Sequence, residues 1–241
     1  MFDQRGTGAS TPSLDCPEYD DAVWEQLGAA LPPTEELNIA RDAFAACRQR
    51  LVDEGVDLDA YDTPTTAQDV EALRVALGIE EWNLFGVSYG TTVALEVVRQ
   101  HPESVRSAVF DSVYPPERPI DGDVFVDNAQ RTLAALAAGC AADPACADAH
   151  GDVTAGLQAA VDSWNADPFE ATIEDPETGE ERPLVITGDG IVAGLWNAMY
   201  DDALIPLLPS LPAALLARDP IADSVVHELA VAGIEQLTAG A

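Results

Sequence analysis

Apolar residues recur along this chain with two periods, and the switch between them marks its elements. Leu37, Ala40, Phe44, Cys47 and Leu51 share one face at helical spacing. That pattern predicts a helix over about 35–54, with Thr34 as N-cap and the apolar face in the core. A second helix is predicted to start at Thr65 or Thr66, where Thr65 and Gln68 have capping-box spacing. Val70, Leu73 and Leu77 line its apolar face, and Gly78 is its stop signal. An apolar strand over 82–87 follows, then a helix that is apolar nearly all round, runs to about Gln100 and breaks at His101-Pro102-Glu103. Ser107-Ala108-Val109-Phe110 is a short apolar strand ending at Asp111. Residues 1–4 read as the end of a strand already in progress, running into the glycine-rich Gly6-Thr7-Gly8 turn. The stretches 11–33 and 55–64, rich in proline and acidic residues, read mostly as loops.

After Tyr114-Pro115-Pro116 the pattern becomes mainly amphipathic helix, at Phe125–Ala138, Val153–Trp164 and Gly190–Tyr200. A hairpin is predicted within it, Phe169–Glu174 and Arg182–Thr187 about the Pro176-Glu177-Thr178-Gly179 turn. Proline-broken leucine-rich turns over Leu204–Leu216 and a last helix, Ile221–Leu237, end the chain. Alternating helices and strands in the first half imply a parallel sheet covered on both faces. The expected organisation is therefore α/β, a sheet-bearing domain over 1–118 followed by a mainly helical domain over 119–241.

Charge narrows the partners. Among the 241 residues, 43 acidic side chains stand against 11 basic ones, a formal net charge of −32. Every basic residue is an arginine; there is no lysine. So negative a surface repels phosphate backbones and anionic lipid heads, so nucleic acid and membrane are not expected partners. The acids are spread along the chain, as in proteins whose solvated surface works at high salt, where screening mutes self-repulsion. The melting temperature is accordingly expected to rise with added salt, and a flat response would contradict that reading.

Four cysteines, Cys16, Cys47, Cys140 and Cys146, form no C-x-x-C pair and accompany only three histidines, so a metal site is not expected. The even count, with Cys140 close to Cys146, is consistent with two disulfides and an oxidising compartment; four buried thiols are the alternative.

The chemistry concentrates at Gly86-Val87-Ser88-Tyr89-Gly90. Here a G-x-S-x-G pattern sits between a predicted strand and a predicted helix, the setting in which a tight turn lifts a serine hydroxyl above a sheet edge. Ser88 is the candidate nucleophile, and the Tyr89 backbone N–H the candidate oxyanion donor. Gly86 and Gly90 are expected to be glycines because a side chain at either position would meet neighbouring backbone. Asp111, at the end of the next strand, could serve as an acid in a variant arrangement. The Asp3 and Arg5 side chains are expected to form ion pairs that fix the first loop.

Three stretches, Phe2-Asp3-Gln4-Arg5-Gly6-Thr7-Gly8-Ala9-Ser10, Gly86–Thr91 and Phe110-Asp111-Ser112-Val113-Tyr114-Pro115-Pro116, occur in this order in α/β-hydrolase serine aminopeptidases. The chain resembles their proline iminopeptidase and secreted tripeptidyl aminopeptidase group, the latter more closely. Leu14-Asp15-Cys16-Pro17-Glu18 and Cys47 fit the secreted branch, where such cysteines are bridged. The resemblance implies cleavage of peptide bonds near a free N-terminus through an acyl-enzyme on Ser88, without a cofactor. It implies that the helical part resembles the family's cap. It also implies an extracytoplasmic or secreted location for the full-length form, whose signal sequence this chain does not carry; the cytoplasm is the alternative.

In that family the triad Asp and His lie beyond the cap, and a second oxyanion N–H comes from an H-G-G-type loop before the first stretch. Neither is found in this chain, which is expected to be a piece of a longer peptidase with three core strands. His101 lies past the far end of the nucleophile helix, His150 in an Asp/Ala/Gly loop, and His227 in a helical segment with no strand before it. None is presented as a base, so the isolated chain is expected to be close to inert. Two other readings remain open: an esterase or lipase on the same fold, and a non-catalytic remnant acting as an interaction module.

Overall fold

A computed structural model describes residues 1–117, 122–175 and 178–218. The chain divides into two compact units, residues 1–15 with 46–121, and residues 16–45 with 122–241. The Ile221–Leu237 helix expected from the sequence lies outside the described residues.

The first unit is built on a β-α-β element. Strand β1 (Trp82–Val87) pairs in parallel with β2 (Val105–Asp111), from Asn83 opposite Ser107 to Val87 opposite Asp111, and helix α4 (Tyr89–Gln100) connects them. Before β1 comes α3 (Thr63–Ala76). Its N-cap is Asp62, whose carboxylate accepts the Thr65 N–H at 2.7 Å. The expected Thr65–Gln68 box does not form because the helix starts earlier: Asp62 caps the Thr65 N–H, and Thr65 and Gln68 then lie inside the helix. Gly78, at φ +67°, ends the helix, and Arg74 folds back to bond Glu71 and the carbonyls of Ile79 and Glu80. That hydrogen bond with Arg74 holds the Glu71 carboxyl down at about 2.

Ala67 and Val70 of α3 and Val93 and Val97 of α4 form the core, with Trp82, Leu84 and Val105 packed against it. These strand residues all point to one face. On the other, Phe85, Val87 and Val109 are 70%, 49% and 55% exposed. Double coverage is therefore not what the described residues show: one face is packed and one is bare. Leu73 of α3 and Leu77 just past its end, both expected in its apolar face, are also exposed.

The strand expected at residues 1–4 does not form, so among the described residues the sheet has two strands and not the expected three. Its backbone groups are used in a local knot instead. The Gln4 carbonyl accepts the Thr7 N–H at 3.1 Å, the Asp3 carbonyl accepts the Ser10 hydroxyl at 2.8 Å, and the Asp3 carboxylate accepts the Ala9 N–H at 2.9 Å. Arg5 forms the expected ion pair, a two-pronged one with Asp69 at 2.7 Å on each arm. Asp3 is spent on backbone and not on a cation.

The second unit contains α1 (Pro17–Leu27), a helix where a loop was expected. Proline at its first position, and Glu18 and Asp20 in its first turn, suit a helix N-terminus. What commits it is tertiary: Trp24 and Leu27 pack on the unit's main core. Helix α2 (Pro33–Asp53) spans the boundary in sequence; Cys47 and Leu51 are buried, whereas Leu37 and Phe44 of the same expected face are exposed, with Phe44 stacked on Tyr19 at 4.4 Å.

Helices α5 (Gly122–Ala142), α6 (Pro144–His150) and α7 (Val153–Ala166) precede an antiparallel hairpin, β3 (Phe169–Glu174) with β4 (Glu181–Ile186). Helix α8 (Gly188–Ala198), a 3-10 stretch over 205–210 and α9 (Leu211–Ala217) complete the unit. The core gathers Ala160, Trp164, Ile173, Leu184, Ile186, Ile191 and Leu215. Cys140 is bonded to Cys146, Cys16 and Cys47 are disulfide-bonded as well, and no cysteine is free.

Candidate active site

Strand β1 ends at Val87 and α4 begins at Tyr89, so the whole reversal from strand to helix falls on Ser88. It adopts φ 52° and ψ −122°, a region that costs a non-glycine residue about 1–3 kcal/mol and persists only where the surroundings impose it. Those surroundings are visible. The Ser88 N–H donates to the Asp111 carbonyl at 3.0 Å, which ties the turn to the end of β2. The Ser88 carbonyl accepts both the Thr91 N–H at 2.9 Å and the Thr91 hydroxyl at 2.6 Å.

Gly86 is required sterically. A Cβ there would stand 2.5 Å from the Gly90 carbonyl oxygen and 3.0 Å from the Thr91 Cα. Gly90 differs from expectation: a Cβ there meets nothing within 4 Å, and it does not share the positive φ of the capping glycines. The turn crosses itself closely at one glycine; the second lies on an open side of the first helical turn.

The Ser88 side chain is exposed, and among the described residues its hydroxyl has no hydrogen-bond partner. Tyr89 is the first residue of α4, where a backbone N–H has no acceptor within the helix and carries the positive end of the helix dipole. An oxyanion formed on a Ser88 adduct would find that donor and that field beside it. The Tyr89 phenol also shares a 2.9 Å hydrogen bond with the Thr63 hydroxyl, which joins the turn to the start of α3.

No described histidine is brought to Ser88 within this unit. His101 caps the opposite end of the 12-residue α4, about 18 Å along its axis, with its Nε2 buried and unpartnered. His150 is the exposed last residue of α6 in the second unit, at a helix end where a loop was expected, and His227 lies outside the described residues. Asp111 contributes its backbone carbonyl to the turn, while its carboxylate accepts the Ser112 hydroxyl at 3.3 Å. A separate open cavity of about 630 Å³ in the same unit is lined by Asp3, Arg5, Ser10, Tyr61 and Asp69, but Arg5 is already paired with Asp69 and the Ser10 hydroxyl donates to the Asp3 carbonyl. Among the described residues no group of His, Cys, Asp and Glu could hold a metal ion, and no helix is long and apolar enough to cross a membrane.

Sequence reasoning overlooked Thr91 and Thr92. Both are buried, and both reach the loop after β2: the Tyr114 N–H donates to the Thr91 hydroxyl at 2.8 Å, and the Thr92 hydroxyl donates to the Tyr114 carbonyl at 2.7 Å. Two adjacent hydroxyls at the start of an otherwise apolar helix were the available signal, because buried hydroxyls need partners.

A profile of the alpha/beta hydrolase fold matches residues 1–157 of the chain. Among curated proteins, tripeptidyl aminopeptidase from Streptomyces lividans is 34% identical over 122 residues, covering 48% of this chain and 22% of that protein. Proline iminopeptidase from Xylella fastidiosa (strain 9a5c) is 46% identical over 114 residues, covering 47% of this chain and 23% of the relative. Serine protease Hip1 from Mycobacterium tuberculosis (strain ATCC 25618 / H37Rv) is 28% identical over 156 residues, covering 60% of this chain and 29% of that protein. The matches thus span between a fifth and a third of these relatives' lengths.

Proposed function

The chain belongs to the alpha/beta hydrolase fold family, and from that premise we propose that Ser88 is the nucleophile of a serine peptidase that cleaves near a free peptide N-terminus. The observation that carries the reading is Ser88 itself, the only residue between a parallel strand and a helix, held at φ 52° with its hydroxyl exposed. Ser88 Oγ attacks the carbonyl carbon as its O–H proton is released to a base or solvent, the Tyr89 N–H stabilises the oxyanion, and collapse of the tetrahedral adduct expels the amine, protonated on nitrogen, leaving an acyl-enzyme that water then hydrolyses. Gly86 and the Asp111 carbonyl hold the turn that makes this possible. The aminopeptidase assignment is supported by what the relatives are called, and the net charge of −32 suits a substrate with a cationic terminus. The disulfides support an extracytoplasmic setting.

A fluorophosphonate probe tests the nucleophile. Ser88 Oγ displaces fluoride from phosphorus and loses its proton to solvent or a base. We expect labelling that is specific to Ser88 and slow, because losing the base of such a site costs on the order of 10⁶ in turnover and no described imidazole bonds the hydroxyl. Labelling no greater than in Ser88→Ala would overturn the assignment. Rapid stoichiometric labelling would show that a base reaches Ser88 after all. Tripeptidyl amides with free and with acetylated N-termini then separate an aminopeptidase, which turns over only the former, from an esterase or lipase, which does not discriminate.

A further inference from the structure

Two hydroxyls of the helix after Ser88 converge on one loop residue, Tyr114. The Thr91 hydroxyl, fully enclosed, donates to the Ser88 carbonyl and accepts from the Tyr114 N–H. The neighbouring Thr92 hydroxyl donates to the carbonyl of the same Tyr114. Tyr114 is thereby gripped on both sides by consecutive residues of α4. The loop that carries it begins at Ser112, the other non-glycine residue held at positive φ, 56°, among the described residues of this unit. Ser88 and Ser112 are joined through the hydrogen bond from the Ser88 N–H to the Asp111 carbonyl. Two strained residues and one clasp therefore form a single closed circuit: Ser88, Thr91, Tyr114, Ser112, Asp111 and back to Ser88.

We propose that Thr91 is a positioning residue for the nucleophile, its buried hydroxyl acting as the rivet that locks the Ser88 turn to the loop after β2. The proposal rests on Ser88 being the nucleophile. A threonine hydroxyl has one proton to give and lone pairs to receive, and both capacities are used here, one on each side of the circuit. Valine has the same shape and neither capacity. With valine at 91, the Tyr114 N–H loses its acceptor and the Ser88 carbonyl keeps only the Thr91 N–H. The strained turn then lacks one of the restraints that over-determine it. The serine hydroxyl and the Tyr89 N–H would drift from their shared alignment, and a displacement of about 1 Å is enough to cost on the order of 10²-fold in a positioned reaction. Serine at 91 keeps both hydrogen bonds and loses only the methyl group.

The test compares wild type, T91V, T91S and T92V as full chains, with melting curves to show that each is folded. Labelling by the fluorophosphonate is measured against probe concentration, which separates probe affinity from the first-order rate of bond formation. Amide exchange at Tyr114 is followed by NMR. In T91V we expect the rate of bond formation to fall about 10²-fold at unchanged affinity, with Tyr114 protection lost, and in T91S both to be restored. T92V keeps the Thr91 rivet and should lose less. Unchanged bond formation in a folded T91V, or failure of T91S to rescue it, would overturn the proposal. If T91V does not fold, T91A decides, since it removes the same hydroxyl without adding bulk: unaltered bond formation in a folded T91A would equally overturn the proposal. Wild-type protein that shows no labelling above Ser88→Ala removes the underlying assignment of the nucleophile, which is a different result from a labelled wild type indifferent to position 91.

Discussion

Adding one methyl group at position 86 is expected to dismantle the nucleophile turn. In Gly86→Ala the new Cβ would lie 2.5 Å from the Gly90 carbonyl oxygen, 2.8 Å from the Gly90 carbonyl carbon and 3.0 Å from the Thr91 Cα. All three are backbone atoms in the first turn of α4, so no side-chain rotation relieves the clash. Relief requires β1 and α4 to separate, and that opens the core in which Val93 and Val97 pack near Leu84. Overpacking a core typically costs about 1–3 kcal/mol, and a collision between backbones belongs at or above the top of that range. Urea unfolding of the first unit should show a loss of about 3 kcal/mol, accompanied by loss of Ser88 labelling. Gly90→Ala is the matched control. Its Cβ enters open space, and replacing a helical glycine by alanine should stabilise by about 0.5 kcal/mol. Equal destabilisation by the two substitutions would show that the close crossing at Gly86 is not what makes this turn glycine-dependent.

The second large effect is expected in the other unit, at Trp164→Ala. The Trp164 side chain is fully buried at the centre of a core drawn from α7, both hairpin strands, α8 and α9. Removing a buried aromatic of this size costs about 3–5 kcal/mol. Two polar arrangements add to the apolar one. The indole N–H donates to the Leu215 carbonyl at 3.0 Å, and the Arg218 guanidinium lies 4.1 Å from the ring centroid. Trp164→Phe separates the contributions, since it retains a ring but leaves the Leu215 carbonyl only the longer bond from the Arg218 N–H at 3.4 Å, for a loss of about 1 kcal/mol from the hydrogen bond. Calorimetry should therefore rank wild type above phenylalanine and phenylalanine above alanine. A phenylalanine variant as unstable as the alanine variant would mean that the hydrogen bond and not burial dominates.

The apolar run that marked 82–87 as a strand and the proline that ended the next helix at Gln100 were both local signals, and both elements have those limits. The hairpin strand at Phe169–Glu174 was legible for the same reason. The G-x-S-x-G turn was legible because a strand end, a serine and a helix start occur within ten residues. Where expectation failed, the deciding partner was remote. Residues 17–27 carried helix-compatible ends, yet their weak apolar pattern gave no reason to prefer helix until Trp24 and Leu27 found the core. Residues 1–4 looked like a strand, but a strand requires a neighbour, and these groups closed hydrogen bonds with residues 7–10 instead.

The candidate nucleophile, its flanking turn and the α/β character of the chain follow from sequence, because each depends on dihedral preferences and side-chain periods set by neighbours a few residues away. Gly86 and Gly90 look equivalent as letters in a pattern. Only the fold distinguishes them, by bringing the Gly90 carbonyl across Gly86 while leaving Gly90 open. The same holds for Thr91: its hydroxyl acquires a role from Tyr114, 23 residues along the chain. Local chemistry can announce a reactive residue. The restraints that hold it in position are hydrogen bonds and steric contacts between segments that become neighbours only on folding.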